Sequence, residues 1–547
     1  MQVRPGGDAH LLLAMLGYLV QEGLVDTKFI AEHCEEYAGL EQVLRGIPVD
    51  EYCTKADIDP AVMKDITRKY AQTEKACVRT DLGLEQSLHS TLNLYLSKLL
   101  WLLTGHFAKP GTQVFHTSIV PLIGNSKEPQ EGGMTTKASG AKEIGKLFPP
   151  NVLPLEIDND REDRIRAVWV DSGNPAMTAA DSEAYREAFS KLELLVTIDV
   201  AMTETARLSH YVLPAATQYE KWEATFFNFE FPENFFHLRR PIFEPKENTL
   251  PEPEIYRRIL VAMGEIPDEF PELEEAARAH VADTASQALP MAVMKVTQEN
   301  PKLMQYAPVI LYATLGKALP DGAASAALLW FTAQRFVQFN EPAVLRAGIR
   351  DEGAGLAEAV FKKMLESPSG MITTKNEYGE NWDMIGYGDR KIRLTIPEML
   401  AEIEALSTEE GDPEYPYVLQ AGERRSYNAN QIFRTADWRK KDREGALRVH
   451  PDDADAIGLE DGGRATVRSK RGAVDVVVAV DDAVHRGFVT LPHGYGFIET
   501  EDDGGAGERV GPPINFLSAS EHCDAIAKTP LHKYIPVAIV PAMVAAK

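Results

Sequence analysis

Residues 194–228 read LLVTIDVAMTETARLSHYVLPAATQYEKWEATFFN, and this stretch decides the fold. Leu194-Leu195-Val196-Thr197-Ile198 is an apolar run of the kind a buried parallel strand needs, and it ends on Asp199. Thr203-Glu204-Thr205-Ala206 reads as a helix start capped by Thr203. Tyr211-Val212-Leu213 is a second short strand, stopped by Pro214, and Glu220, Lys221 and Glu223 follow it. The unit is strand, turn, helix, strand, with an acid, helix amides and a lysine at one edge. In an open α/β sheet that edge is where nucleotide-like ligands bind.

Upstream, Ile165 to Val170 reads as another strand, ending in Ser172-Gly173-Asn174-Pro175, and a helix near Ala184 to Lys191 leads into Leu194. Alternating strands and helices predict a parallel sheet. Gly173 directly after a strand lets backbone amides approach a ligand, and a helix start behind it favours an anion. Taken singly, Gly-Asn-Pro is more often an ordinary turn. Next to Asp199 it gains force, because adjacent strand ends then supply a backbone cradle and a carboxylate. That carboxylate can accept from a guanine's N–H groups or a ribose hydroxyl. Lys221 can meet a phosphate; standing alone it would be a solvated surface lysine.

At the amino terminus Arg4-Pro5-Gly6-Gly7-Asp8 allows close backbone approach at Gly6 and Gly7, and Asp8 reads as the cap of the following helix. That helix carries Leu11, Leu12, Ala14, Met15, Tyr18 and Leu19, with Gly23 as its stop and Asp26 opening the next. A further helix is predicted over Ser87 to Thr104, with His89 near its start, before the Lys109-Pro110-Gly111 turn. Residues 121–154 read as a loop or boundary, and residues 254–406 are mostly helical without a chemical motif. From Tyr415 to Val540 short alternating strands between Asp-Gly-Gly and Lys-Arg-Gly turns predict a compact β-barrel. Within it, Gly422 to Asn430, including Arg424, Ser426 and Asn428, is a donor-rich loop suited to a heterocycle. Gly511-Pro512-Pro513-Ile514-Asn515, Asp524 and Lys533 form a second polar set.

At 547 residues the chain should hold three or four packing units, at roughly 150 residues each. A net charge of −25 argues against a nucleic-acid or anionic-membrane surface. The longest apolar stretch, near Ala323 to Phe336, is broken by Gln334 and Arg335 and reads as a core helix. No secretion leader is evident, which points to the cytoplasm. Cys34, Cys53, Cys77 and Cys523 are scattered, which supports neither disulfides nor a zinc or iron–sulfur site, and all four read as buried thiols.

The pattern D-x-x-x-T-E-T-A…L-P…E-x-x-G-T-x-x-N, with Ala224 at the glycine position, resembles the molybdopterin oxidoreductases, the dimethyl sulfoxide reductase and formate dehydrogenase superfamily. The opening RPGGD, the segment LGLEQSLHSTLNLYLSKLLWLLTGHFAKPG, VWVDSGNP and the closing G-x-x-x-N-x-L…D…P-x-x-K follow in the same order. The resemblance implies an α/β fold: parts of two open Rossmann-like domains, over 1–150 and 151–265, a helical insertion over 266–412 and a β-barrel over 413–547. It implies a bis(molybdopterin guanine dinucleotide) cofactor carrying molybdenum or tungsten. Gly7, Asp8, Gln86, Gly173, Asn174, Asp199, Lys221, Gly422, Arg424, Ser426, Asn428, Asn515 and Lys533 would then be cofactor contacts.

Two departures shape the functional expectation. The family's iron–sulfur segment, with its 4Fe–4S cluster, and its metal-ligand segment lie ahead of the motif that opens this chain, so an upstream segment is expected to supply both. No metal ligand and no catalytic residue is assigned here. Where formate dehydrogenases carry an Arg-Gly-Gln run, this chain reads Ile123-Gly124-Asn125, which argues against formate. His89 falls where substrate-side residues could lie. The leading expectation is the cofactor-binding portion of an oxidoreductase acting on a small molecule, with a redox partner or electron-transfer subunit and no membrane segment. The alternative is a non-catalytic protein that binds or stores the dinucleotide. A nicotinamide dehydrogenase is disfavoured, because no Gly-x-Gly-x-x-Gly follows a strand.

Overall fold

The computed structural model describes residues 1–120, 133–225, 228–406, 412–423, 436–439, 442–499 and 507–542. Arg424, Ser426, Asn428 and the Ile123-Gly124-Asn125 run lie outside these residues.

Helix α1 (Asp8–Gln21) is buried at Ala9, His10 and Leu12 through Val20, so it is a core helix wrapped on all sides. It packs on α2 (Ser90–Leu103) through Leu13, Leu16, Leu96 and Leu99. Ser87 lies outside α2, because His89 takes the left-handed backbone at φ 58° immediately before Ser90. Asp8 is the first helical residue and Gly7 occupies the cap position, which corrects the reading of Asp8 as the cap.

Strands β1 (Ala167–Asp171), β2 (Leu194–Asp199) and β3 (Tyr211–Pro214) form a parallel sheet in that order. β2 is central and buried from Leu195 to Asp199, which explains its unbroken apolar spelling. Helix α3 (Ser182–Ser190) covers it with Tyr185, Ala188 and Phe189. The helix expected at Thr203 is a single 3-10 turn, Ala206–Leu208, although Thr203 Oγ1 does accept from Ala206 N at 3.2 Å. The turn goes no further because His210 is already tied to Leu195 of β2, by a backbone bond of 2.9 Å and a ring bond of 2.9 Å.

The helical segment includes α4 (Pro271–Ala282), α5 (Ala288–Glu299), α6 (Ala307–Ala313), α7 (Leu328–Arg346) and α8 (Leu356–Glu366), whose shared core includes Leu273, Leu311, Trp330 and Phe361. A strand the helical reading did not contain, Met371–Lys375, pairs antiparallel with Glu233–Phe236. Helix α9 (Pro397–Ala405) returns to the first core, burying Met399 and Ile403 beside α1 and α2.

The last part is a closed barrel. Its strands are β4 (Tyr417–Glu423), β5 (Leu447–Val449), β6 (Arg464–Arg468), β7 (Ala473–Val480) and β8 (Phe488–Pro492). A hairpin of β9 (Phe497–Glu499) and β10 (Glu508–Val510) stands outside, and β11 (Ile535–Pro541) completes the ring in the order β4-β8-β5-β7-β6-β11. Alternation is plain in β7, where Val474, Val476 and Val478 face the core while Ala473 and Asp475 are exposed. His450 caps the short helix that enters the barrel, its ring accepting from Asp452 N at 3.1 Å. Cys34 and Cys53 are buried, but Cys77 is exposed on an extended segment and Cys523 half-buried, so the reading of four buried thiols holds for two. Among the described residues, no helix is long and apolar enough to cross a membrane.

Candidate functional site

Of the sequence-predicted residues that the structure describes, all but Lys221 lie at two faces near the barrel. At the first, the carboxyl ends of β1 and β2 meet the hairpin β9–β10. Ser172, not Gly173, holds the left-handed backbone there, at φ 56°, with its N–H donating to Ile198 O at 3.0 Å. A side chain at Gly173 would come no nearer than 3.5 Å, to Val170 Cγ1, so the protein's own packing does not demand glycine.

Asn174 is only 5% exposed. Its Nδ2 donates to Glu204 Oε2 at 2.7 Å, and its Oδ1 accepts from Thr205 N at 3.0 Å and Thr205 Oγ1 at 2.9 Å. Glu204 Oε1 accepts from Ile498 N of β9 at 2.9 Å. Asp199 Oδ1 accepts from Val200 N and Ala201 N at 2.7 and 3.2 Å, which orients its carboxylate at the strand end. On the barrel side, Asn515 Nδ2 donates to Met177 O at 2.8 Å. Arg471 of the Lys-Arg-Gly turn closes the joint with Nε on Asp181 Oδ1 at 2.8 Å.

Two residues here went unmarked in the sequence. Glu204 reads locally as part of a helix start, yet it joins β2's turn to the barrel; its signal was a carboxylate among small residues. Arg186 on α3 lies over the Phe516 ring, and among the described residues its buried Nε has no hydrogen-bond partner. Burial, with Arg509 nearby, holds its pKa below the usual arginine value. A buried guanidinium N–H without an acceptor suits an anionic ligand.

The second face joins the amino-terminal loop to β4 and the residues before β11. Lys533 N donates to Gln86 O at 2.8 Å, and Lys533 Nζ reaches back to Ala421 O at 2.5 Å and Gly422 O at 3.1 Å. At Gly422, φ 79°, a β-carbon would lie 2.0 Å from His493 Nε2, so the ring would have to shift to admit one. Gly6, at φ 83°, is pressed against the Tyr534 ring in the same way. Burial pushes the Asp8 carboxyl up, and the N–H groups of Asp8 and Gly6 pull it back. Two cavities flank this loop and share Pro5 and Gly6 in their walls. One, of about 880 Å³, has Gly7, Arg4, Lys55, Lys470 and Arg471 in its lining; the other, of about 400 Å³, has Asp8 and Lys533.

Lys221 joins neither group, because its Nζ pairs with Glu252. His89 Nδ1 lies 2.7 Å from Glu402 Oε1, which comes from α9. Among the described residues, no three His, Cys, Asp or Glu side chains are grouped to hold a metal ion.

The molybdopterin oxidoreductase family model matches residues 1–261, and the molydopterin dinucleotide binding domain model matches residues 417–536. The chain belongs to the molybdopterin oxidoreductase superfamily. It is similar to the F420-dependent formate dehydrogenase subunit alpha of Methanocaldococcus jannaschii, 26% identical over 48% of this chain and 40% of that protein. It is 22% identical to the acetylene hydratase of Syntrophotalea acetylenica over 96% of this chain and 67% of that one. It is 21% identical to formate dehydrogenase H of Escherichia coli over 98% of this chain and 66% of that one. The chain thus spans between 40% and 67% of the length of these relatives. Among solved structures, acetylene hydratase from Pelobacter acetylenicus shares the fold, with a TM-score of 0.63 and 17% identity over 99% of this chain and 71% of that one. Both faces described above lie against the barrel that the dinucleotide binding domain model matches; Arg186 Nε at the first, and Arg4, Lys55 and Lys470 around the larger cavity at the second, are cationic groups of the kind an anionic ligand pairs with.

Proposed function

We propose that this chain binds molybdopterin guanine dinucleotide, in the bis form and with molybdenum or tungsten, and contributes to redox chemistry on a small substrate together with an electron-transfer partner. The observation that carries this reading is the second barrel face, where Gly7, Asp8 and Lys533 line cavities of about 880 and 400 Å³. When bound, the cofactor supplies the redox chemistry at its metal. The chain's own part is to bind and orient. Asp199, held by two turn amides, would accept from the guanine edge, and Gly173 would let a phosphate approach the backbone at the β1 end. Arg186 would meet negative charge beside Phe516. At the other face Gly7 and Asp8 would present the loop backbone while Lys533, latched to β4, holds the barrel against it.

The test is to purify the chain from cells that make the cofactor. Oxidised pterin fluorescence, released GMP and bound molybdenum or tungsten are then measured. Pterin and GMP in constant ratio, reduced several-fold in Asp199→Asn, are expected. A chain that carries neither overturns the reading. Bound dinucleotide without turnover of a redox dye would favour storage over catalysis.

A further inference from the structure

Between the two family-model matches, the helical segment carries an exposed apolar surface. In α7, Trp330, Ala333 and Phe336 are buried, and the helical period then leaves Leu328, Phe331, Arg335 and Phe339 on the side away from the core. In α5, Leu289, Val293 and Val296 pack inward, which turns Met291 and Met294 outward. Met304 links the two helices. Its Sδ accepts from Thr297 Oγ1 of α5 at 3.0 Å, and it shares the wall of a cleft with Phe331 of α7.

Met291, Met294, Met304, Leu328, Phe331 and Phe339 are between 38% and 70% exposed. At about 200 Å² for a fully exposed side chain of this size, they leave roughly 600 Å² in water. That is the top of the range for the largest apolar patch on a typical monomer, about 300–600 Å². It is also most of the roughly 800 Å² that each partner gives to a stable interface. The charges beside it identify the partner. Glu299 and Lys302 border Met304 along the chain, and Arg335 and Glu341 border Phe339. All four are exposed, and among the described residues none of them forms an ion pair. Two of each sign leave the surface locally neutral in a chain of net charge −25. A strongly acidic or basic partner would match a rim of one sign. A balanced rim is complementary to itself, because across a two-fold axis the cations of one copy can meet the anions of the other. Repulsion between the two net charges is screened beyond about 8 Å at physiological salt.

We propose that the α5–α7 surface docks a second copy of this chain in a closed two-fold dimer. The surface shares no residue with either barrel face, so the dimer is independent of the cofactor reading.

Sedimentation equilibrium of the full chain at physiological salt is the test. At roughly 50 μM the parent should be mostly dimer, since interfaces of this size hold at micromolar concentration or below. Phe339→Glu and Met294→Glu each place a charge in the apolar strip and should raise the dimer dissociation constant at least about ten-fold. Both positions are exposed, so the circular dichroism and thermal midpoint should stay those of the parent. Leu147 is as exposed as Phe339, at 70%, but lies outside the helical segment, so Leu147→Glu should leave the dissociation constant unchanged. A monomeric parent, an open series of larger assemblies, dimers that persist in both strip variants, or an equal loss in Leu147→Glu would each overturn the proposal.

Discussion

Asp524 ties the end of the barrel to α2, and removing it should loosen that joint measurably. It is 5% exposed and accepts five hydrogen bonds. Ser90 Oγ, Thr91 N and Thr91 Oγ1 donate at 3.1, 3.0 and 2.7 Å from the first turn of α2, whose dipole also favours the negative charge. Ile526 N and Ala527 N donate at 2.9 and 2.7 Å from its own turn. In Asp524→Ala the two turn amides can rotate toward water, whereas the three α2 donors face a buried joint. At roughly 1.5 kcal/mol for each charge-assisted bond, their loss amounts to about 4–5 kcal/mol before relaxation, and about 3 kcal/mol should survive in a urea melt. Asp524→Asn keeps the shape but turns an NH₂ group onto donors, because both carboxylate oxygens are engaged. It should therefore cost about as much as the alanine. A D524N chain within about 0.5 kcal/mol of the parent would show that packing, not hydrogen bonding, holds the joint. The pH dependence gives an independent check. Burial raises this carboxyl's pKa, but the bonds from Thr91, Ala527 and Ile526 outweigh it and leave it below the ordinary 3.8. A depressed acid stabilises fully above its unfolded pKa and loses that contribution as pH falls through the folded one. The gap between parent and D524A should hold steady near neutrality and close below pH 3.8.

Gly422→Ala should lower stability by about 2–3 kcal/mol, from left-handed strain plus the clash with His493. Gly487→Ala, at φ 78° but with nothing within 4 Å of its β-carbon, should lose only about 1 kcal/mol, and equal thermal shifts for the two would contradict this account. Glu358 is buried and accepts from Trp330 Nε1 and Gln334 Nε2 at 2.7 and 2.9 Å, with His280 Nε2 at 3.2 Å. Glu358→Ala should cost about 3 kcal/mol and shift tryptophan emission while pterin content per folded chain stays the same. His532 is pulled down to about 3 by burial first, then by His493, Lys533 and His522. Because the unfolded ring gains its proton near 6.5 and the folded one near 3, stability should decline as pH falls across that window, and His532→Gln should flatten the decline in a pH series of melts.

Much of the fold is written locally. β2 appears at the residues where its apolar run predicts it, and the alternation in β7 and the cap at His450 each follow from a few neighbouring positions. The candidate site is legible as a set of residues but not as an arrangement. Asn174 looks like a ligand contact in a turn, yet its side chain is spent on Glu204 and Thr205. Lys221 looks like a phosphate partner, yet Glu252 takes it. The helix promised by Thr203 shrinks to one turn because His210 is already fastened to β2. The sequence by itself determined the parallel strands, the barrel and the family, because period, caps and turns depend on residues a few positions apart. Only the tertiary structure decided which carboxylate meets which donor. Asp524 and Ser90 are 434 positions apart, and their pairing exists only once two cores have packed and shut water out between them.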